Sequence, residues 1–282
     1  MIGLQQKITD SFGHGVEYAH PTQVEVSVMP SISAVLIVKN EASKLPDCLK
    51  SLSWADEIIV LDSGSSDNTL AIAQEFSAKV FTNTDWQGFG VQRERAASFA
   101  SSDWIFMIDA DERVSPELQA SILSAVQQPP AVWFVNRLCW CFGRYIKYSG
   151  MHPDWVPRLY PRGQAMFDAT RVHERLVNNR QLPERNLSGY LLHYVYDSIR
   201  HQQQKAAHYA EEWALQRFAS GKKTSLTAAV LHAVACFLRM YIFRLGFLDG
   251  RQGFLLALLL SQSTFSKYAE LWQLTNTQND RR

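Results

Sequence analysis

Asp109-Ala110-Asp111 places two carboxylates one small residue apart. Such a pair can share a hard cation with a diphosphate. The cation then neutralises charge as a nucleotide diphosphate departs. An Asp-x-Asp triplet is common by chance, and a surface pair is its ordinary explanation. Here the triplet follows Trp104 to Ile108, an apolar run that reads as a buried strand. A second aspartate, Asp62, ends another such run, Ile58 to Leu61. Open α/β sheets bind ligands at the carboxyl ends of their strands, so this placement gives both positions weight. Asp62 can accept hydrogen bonds from a base or ribose, with Gly64 allowing close backbone approach; an ordinary turn is the alternative. Asp67 reads as a helix cap, and Glu112 as a residue that positions the Asp109 loop.

A sugar hydroxyl that attacks a donor carbon needs a base to take its proton. Glu174, in Val172-His173-Glu174, is one candidate, with His173 beside it. A surface glutamate paired with Arg171 or Arg175 is the plainer reading. Asp154, in Gly150-Met151-His152-Pro153-Asp154, is the rival base. His193 sits among apolar residues in Leu191-Leu192-His193-Tyr194. It is either a satisfied core histidine or a third metal ligand.

These residues need a scaffold, and the hydrophobic pattern predicts one. Strands are expected at 34–38, 57–61, 79–81, 104–108 and 131–136, with helices at 42–52, 70–76 and 89–100 between them. Ser115-Pro116-Glu117 predicts a capped helix start, and that helix ends before Pro129-Pro130. Repeated strand–helix–strand units imply an α/β fold, a Rossmann-like, mostly parallel sheet with helices on both faces. From Arg137 to Asp197 the chain turns aromatic and arginine-rich, with short strand-like pieces at 156–160 and 190–195. From Ser198 onward it is helical.

The 282 residues fit one large domain with an appendage, and 46% hydrophobic content supports a substantial core. A formal net charge of +1 and the absence of a matching motif argue against nucleic acid as a partner. The four cysteines have neither disulfide nor zinc spacing, which makes a reduced compartment the default. The first ten residues lack the features of a signal peptide. Residues 1–30 are polar and irregular, and are expected to be a poorly ordered extension. In the tail, Leu231, Ala235, Leu238, Ile242 and Leu245 form one apolar stripe, and 254–260 is a second apolar run. Neither reads as a clean membrane span. Two readings stand: a packed helical pair, or an apolar surface in the membrane interface with Lys222, Lys223, Arg239 and Arg244 meeting lipid phosphates.

Taken together, Ser33 to Glu41 (SAVLIVKNE), Trp54 to Thr69 (WADEIIVLDSGSSDNT), Gly88 to Ala97 (GFGVQRERAA) and Trp104 to Val114 (WIFMIDADERV) resemble glycosyltransferase family 2, with the GT-A fold. Arg158 to Arg162 (RLYPR), Val172 to Glu174, Leu192 to Tyr194 and Met240 to Gly250 (MYIFRLGFLDG) resemble its bacterial lipopolysaccharide inner-core branch, which includes the heptose β-1,4-glucosyltransferases. The resemblance implies an inverting single displacement from a UDP-sugar, commonly UDP-glucose, assisted by Mg²⁺ or Mn²⁺. It implies that Asn40, Glu41 and Asp62 line the nucleoside pocket, that Asp109 faces the ribose or metal side, and that Asp111 coordinates the cation. Gln92 and Arg93 match the helix that usually faces the donor. A looser likeness makes His193 a metal histidine. The Glu-Asp pair that many GT-A enzymes use as base has no match here; His173-Glu174 stands in for it.

The expected organisation is a GT-A domain at 31–197, split into a nucleotide-sugar half (31–136) and an acceptor side (137–197), then a membrane-peripheral helical region at 198–282. The expected activity is hexose transfer to a lipopolysaccharide-core acceptor on the cytoplasmic face of the inner membrane. A polyprenyl-phosphate or other surface-polysaccharide acceptor is one alternative. A non-catalytic, membrane-bound nucleotide-binding protein is the other.

Overall fold

The computed structural model describes residues 29–169, 174–196 and 198–279. Residues 1–28 of the expected extension, and His173, lie outside them. Apolar strands and helices alternate through the first half: β1 (Ile32–Val38), α1 (Leu45–Lys50), β2 (Glu57–Asp62), α2 (Thr69–Glu75), β3 (Lys79–Thr82), α3 (Phe89–Ala97) and β4 (Trp104–Met107). The strands lie in the order β3-β2-β1-β4, all parallel. Successive side chains point to opposite faces. Ala34, Leu36 and Val38 therefore join Leu45, Leu49 and Ala73 on one face. Val35, Ile59 and Leu61 join Ala96 and Ala97 on the other. Burial on both faces accounts for the unbroken apolar runs.

The second half adds β5 (Glu112–Val114), α4 (Pro116–Ala125), β6 (Val132–Cys141), β7 (Arg144–Tyr145), β8 (Asp154–Pro161), β9 (Met166–Phe167), β10 (Leu176–Val177) and β11 (Glu184–Tyr196). β8 inserts antiparallel between β4 and β6, β11 runs parallel to β6, and β5 pairs antiparallel with β11. The Ser115 hydroxyl caps α4 by accepting from the Leu118 N–H at 3.2 Å. The α/β architecture expected of a GT-A fold is present. Its antiparallel strands lie in the half where the sequence turns aromatic and arginine-rich.

Helices α5 (Ile199–Ala219), α6 (Leu226–Leu238) and α7 (Gly250–Asn279) complete the chain. A π turn (Arg239–Phe243) extends α6, and a 3₁₀ turn (Gly246–Asp249) leads into α7. α6 packs on α7, and α7 on α5. Cys236, Met240 and Leu256 bury Cys139 and Cys141 at the end of β6. The buried Asp249 carboxylate accepts from the Lys147 and Tyr148 N–H groups, both at 3.0 Å, and so ties the turn to the sheet. The predicted apolar stripe faces outward: Leu231 is 64% and Ile242 46% exposed. Ala229, Cys236 and Met240 face inward instead, with the small Ala229 and Cys236 side chains letting α7 approach closely. Leu226–Phe243, at mean hydropathy 1.8, is long and apolar enough to cross a bilayer by length and composition. Its C-terminal end is tied to the sheet domain: Cys236 and Met240 pack with Cys139 and Cys141, and just beyond it the Arg244 carbonyl accepts from the Ser149 N–H.

Glu57 opens β2, at the end of that strand remote from Asp62, and is a test of the scaffold alone. Burial would raise its carboxyl. Bonds from Lys79 (2.5 Å), from Ser101 N–H and hydroxyl (both 2.9 Å), and from Ser33 outweigh this and hold the pKa at about 2. A depressed carboxylate stabilises the fold above its unfolded pKa, and that contribution disappears as pH falls through the folded value. Wild-type Tm is therefore expected to fall more steeply than that of Glu57→Gln between about pH 4.5 and pH 2 in thermal melts. Equal slopes would rule out this role.

Candidate active site

β2 and β4 flank β1 on either side, so the strand ends carrying Asp62 and Asp109 lie roughly 10 Å apart, two strand spacings. The loops after β1 and β2 are stitched together. The Asn40 side-chain oxygen accepts from the Ser66 N–H at 2.8 Å, and Asn40 itself is left-handed, with φ 56°. The Asn40 and Glu41 N–H groups donate to the Ser65 and Thr69 hydroxyls, both at 2.8 Å. Asp62 is buried and accepts from the Gly64 N–H (2.9 Å), the Ser65 N–H and the Ser65 hydroxyl. Gly64, at φ +92°, makes that turn possible. Asp62 thus shapes the loop that follows β2. Asp67 accepts from the Thr69 N–H at 3.0 Å, but it sits one residue before the N-cap, Asn68, which makes no side-chain cap bond, so the expected cap is instead a turn that leads into α2.

On α3, the fully buried Gln92 amide donates to Ser63 Oγ at 3.0 Å and to the Asn83 carbonyl at 2.9 Å, which fixes two loops. Its neighbour Arg93 begins a chain of alternating charges. Arg93 Nε meets Glu174 at 3.1 Å, and Arg93 Nη2 meets Asp109 at 2.8 Å. Arg158 Nη2 meets the other Asp109 oxygen at 2.7 Å and Glu112 at 2.9 Å. Arg137 lies 3.7 Å from Glu112 and 2.7 Å from Asp154. Glu112 also accepts from the Asp109 N–H at 2.9 Å, so it does position the Asp109 loop. Burial would raise the Asp109 carboxyl, but Arg158 and Arg93 outweigh that and hold it well below the usual carboxylate range. Gly90 lets this assembly close: a Cβ there would lie 1.8 Å from the Asp168 carbonyl oxygen, in the segment leading to Glu174.

This floor opens into a cavity of about 890 Å³. Arg93, Asp109, Arg158 and Glu174 line it, with Phe89, Phe134 and Phe167 as apolar wall and Tyr209, Trp213 and Lys267 from the C-terminal helices. Asp154 is not among the lining residues, and its partner is Arg137. Arg93 Nη1 and Arg158 Nε are buried and have no hydrogen-bond acceptor among the described residues.

Asp111 points elsewhere, toward His193 on β11, whose Nε2 lies 3.5 Å from its carboxylate. Burial would raise Asp111, but the bond from His193 lowers it on balance. Burial disfavours a charged His193, yet the bond to Asp111 dominates and pushes its pKa to about 10. Burial, followed by Asp111, raises Glu41 nearby. Among the described residues no three His, Cys, Asp or Glu side chains come together to hold a cation. Asp111 and His193 supply two donors, and both Asp109 oxygens are taken by guanidinium groups. Among the described residues, protein side chains alone therefore do not form a cage for a cation.

The sequence reading gave Arg158 no role. An arginine inside the apolar run Trp155 to Tyr160 was the available signal, since a buried charge needs partners. The aromatic wall from α5 and Lys267 from α7 come from distant segments that no local motif joins. Replacing Arg158 by Met leaves Glu112, at 0% side-chain exposure, without its nearest counter-charge. The expected loss in urea denaturation is about 3–5 kcal/mol, partly restored by adding Glu112→Gln. A single-variant loss below about 1 kcal/mol would mean that the network is not structurally coupled.

The chain is 32% identical to an uncharacterized glycosyltransferase of Rickettsia felis, over 86% of this chain and 90% of that one. It is 31% identical to the lipopolysaccharide core biosynthesis glycosyltransferase LpsC of Rhizobium meliloti, over 86% and 92%. Among solved structures, glucosyl-3-phosphoglycerate synthase from Mycobacterium tuberculosis is 26% identical over 39% of this chain and 44% of that chain, with a TM-score of 0.34. Residues 33–182, which carry β1 to β4 and the charged floor, match the model of glycosyl transferase family 2, and the chain belongs to that family.

Proposed function

We propose that this glycosyltransferase moves a hexose, with inversion, from a nucleotide sugar such as UDP-glucose onto a heptose of the lipopolysaccharide inner core. The observation that carries the reading is the cavity at the carboxyl edge of the parallel strands, with Asp109 clamped between two buried arginines on its floor and Glu174 on its wall. The lipopolysaccharide assignment is supported by the likeness to LpsC along most of both chains.

In this reading the Asn40–Glu41 and Asp62–Ser66 loops receive the nucleoside, and Gln92 ties the second of them to the Asn83 loop. Asp111 and His193 hold Mg²⁺ or Mn²⁺, which when bound offsets charge on the departing diphosphate. Arg93 and Arg158, oriented by Asp109, face the anionic donor. Glu174 takes the proton of the acceptor hydroxyl. Asp154, engaged with Arg137, orients the floor from outside. Residues 31–197 form the catalytic unit, and 198–282 bring it to the cytoplasmic surface of the inner membrane. The outward apolar face of α6 supports the membrane assignment: Leu226, Val230, Leu231 and Phe243 are all at least 42% exposed.

Asp111→Asn is expected to lower UDP release from UDP-glucose by about two to three orders of magnitude and to abolish its dependence on Mn²⁺. An EDTA-insensitive wild type would refute the metal role. Glu174→Gln should bind UDP normally in titration calorimetry yet turn over far more slowly; an unchanged rate moves the base to another residue. Leu231→Glu with Phe243→Glu should leave soluble-acceptor activity intact and abolish co-sedimentation with phosphatidylglycerol vesicles. Undiminished sedimentation would locate the membrane contact elsewhere.

A further inference from the structure

A second cavity, of about 600 Å³, lies between α5, α6 and α7. Its lining is one-sided in charge. Arg217, Lys222, Lys223 and His232 line it, with no aspartate or glutamate among the lining residues. Lys222 and Lys223 sit exposed on the turn after α5 and form no ion pair among the described residues. Trp213 and Tyr268 give the wall its aromatic surface, beside Thr224, Ser225, Ala228 and Leu271. His232 and Tyr268 stack with ring centroids 4.0 Å apart, Trp213 lies 5.0 Å from Tyr268, and the Arg217 guanidinium sits 5.3 Å above the Trp213 ring.

Trp213 also lines the cavity that holds Asp109 and Glu174. One indole is therefore the shared wall between the charged floor and this groove. Ring faces suit the apolar face of a sugar, and unpaired cations suit phosphate oxygens. A neutral glycan would leave the three cationic side chains unanswered.

We propose that this groove is a second acceptor subsite, which takes a phosphate-bearing sugar of the acceptor while the hydroxyl to be glycosylated lies across Trp213 beside Glu174. The inference rests on the saccharide-acceptor reading above and adds to it the acceptor's phosphate and the place where that phosphate is read. The competing source of phosphate is a bilayer headgroup, because the exposed apolar face of α6 begins at Leu226, next to the same turn.

The test compares the full-length wild type with Lys222→Glu/Lys223→Glu, whose exposed positions lie outside the catalytic floor. Titration calorimetry uses deacylated lipopolysaccharide core before and after phosphatase treatment. The phosphorylated core should bind the variant at least about tenfold more weakly than wild type, the loss of one charge-assisted bond, while the dephosphorylated core binds both alike. UDP release from UDP-glucose should be unchanged, which also reports an intact fold. Equal affinities of the two proteins for the phosphorylated core overturn the proposal. So does a variant that loses only its sedimentation with phosphatidylglycerol vesicles, which would assign the groove to headgroups. Groove-dependent binding without sugar transfer would instead sink the lipopolysaccharide reading and leave the phosphate subsite standing.

Discussion

Arg158 is almost wholly buried, and a buried guanidinium persists only where carboxylates surround it. Asp109 and Glu112 meet that need, and the topology serves to bring the three together. β8 enters antiparallel between β4 and β6, which carries Arg158 to the end of the strand that delivers Asp109. β5 begins at Glu112 and turns the chain back after the Asp-x-Asp loop. Arg93 and Glu174 extend the alternation into the cavity, and Arg137 and Asp154 extend it away. Such a network contributes less net stability than its contacts suggest, because each ion has lost its water. What it gives is a fixed direction for two cationic groups on the floor of the cavity.

The scaffold was largely legible because its signals are local. Apolar runs gave the parallel strands, and Ser115-Pro116-Glu117 gave the start of α4. Of the aspartates near the strand ends, Asp109 lines the cavity, Asp62 shapes its own loop and Asp111 turns to His193. Roles within the site were harder to read. Asp109 and Asp111 are one residue apart yet face different partners, two arginines and a histidine. Sequence spacing cannot separate them, because the divergence is created by β8 and β11 more than forty residues downstream. Glu174 resembled a surface residue paired with a neighbouring arginine. Its actual partner is Arg93 on α3, brought into reach by the close approach at Gly90.

The tail shows the same limit in another form. Periodicity identified an apolar stripe but not the direction in which it faces. Small residues, Ala229 and Cys236, occupy the packed side, and the larger side chains are left outside. Hydrophobic size therefore misleads here, because helix contact favours what packs closely over what is most apolar. The resulting surface lies on α6, which packs against α7, and α5 and α7 supply Tyr209, Trp213 and Lys267 to the cavity above Asp109.

The central claim is that the arginine-clamped Asp109 orients the donor's charged end while Asp111 and His193 hold its cation. Anomalous diffraction at the manganese edge, from crystals grown with UDP and Mn²⁺, addresses this most directly. The account predicts one manganese peak against Asp111 and His193, with the diphosphate in the same cavity as Arg93 and Arg158 and Asp109 still bound by both. A nucleotide seated away from that cavity, or a manganese ion that does not touch Asp111, would contradict it.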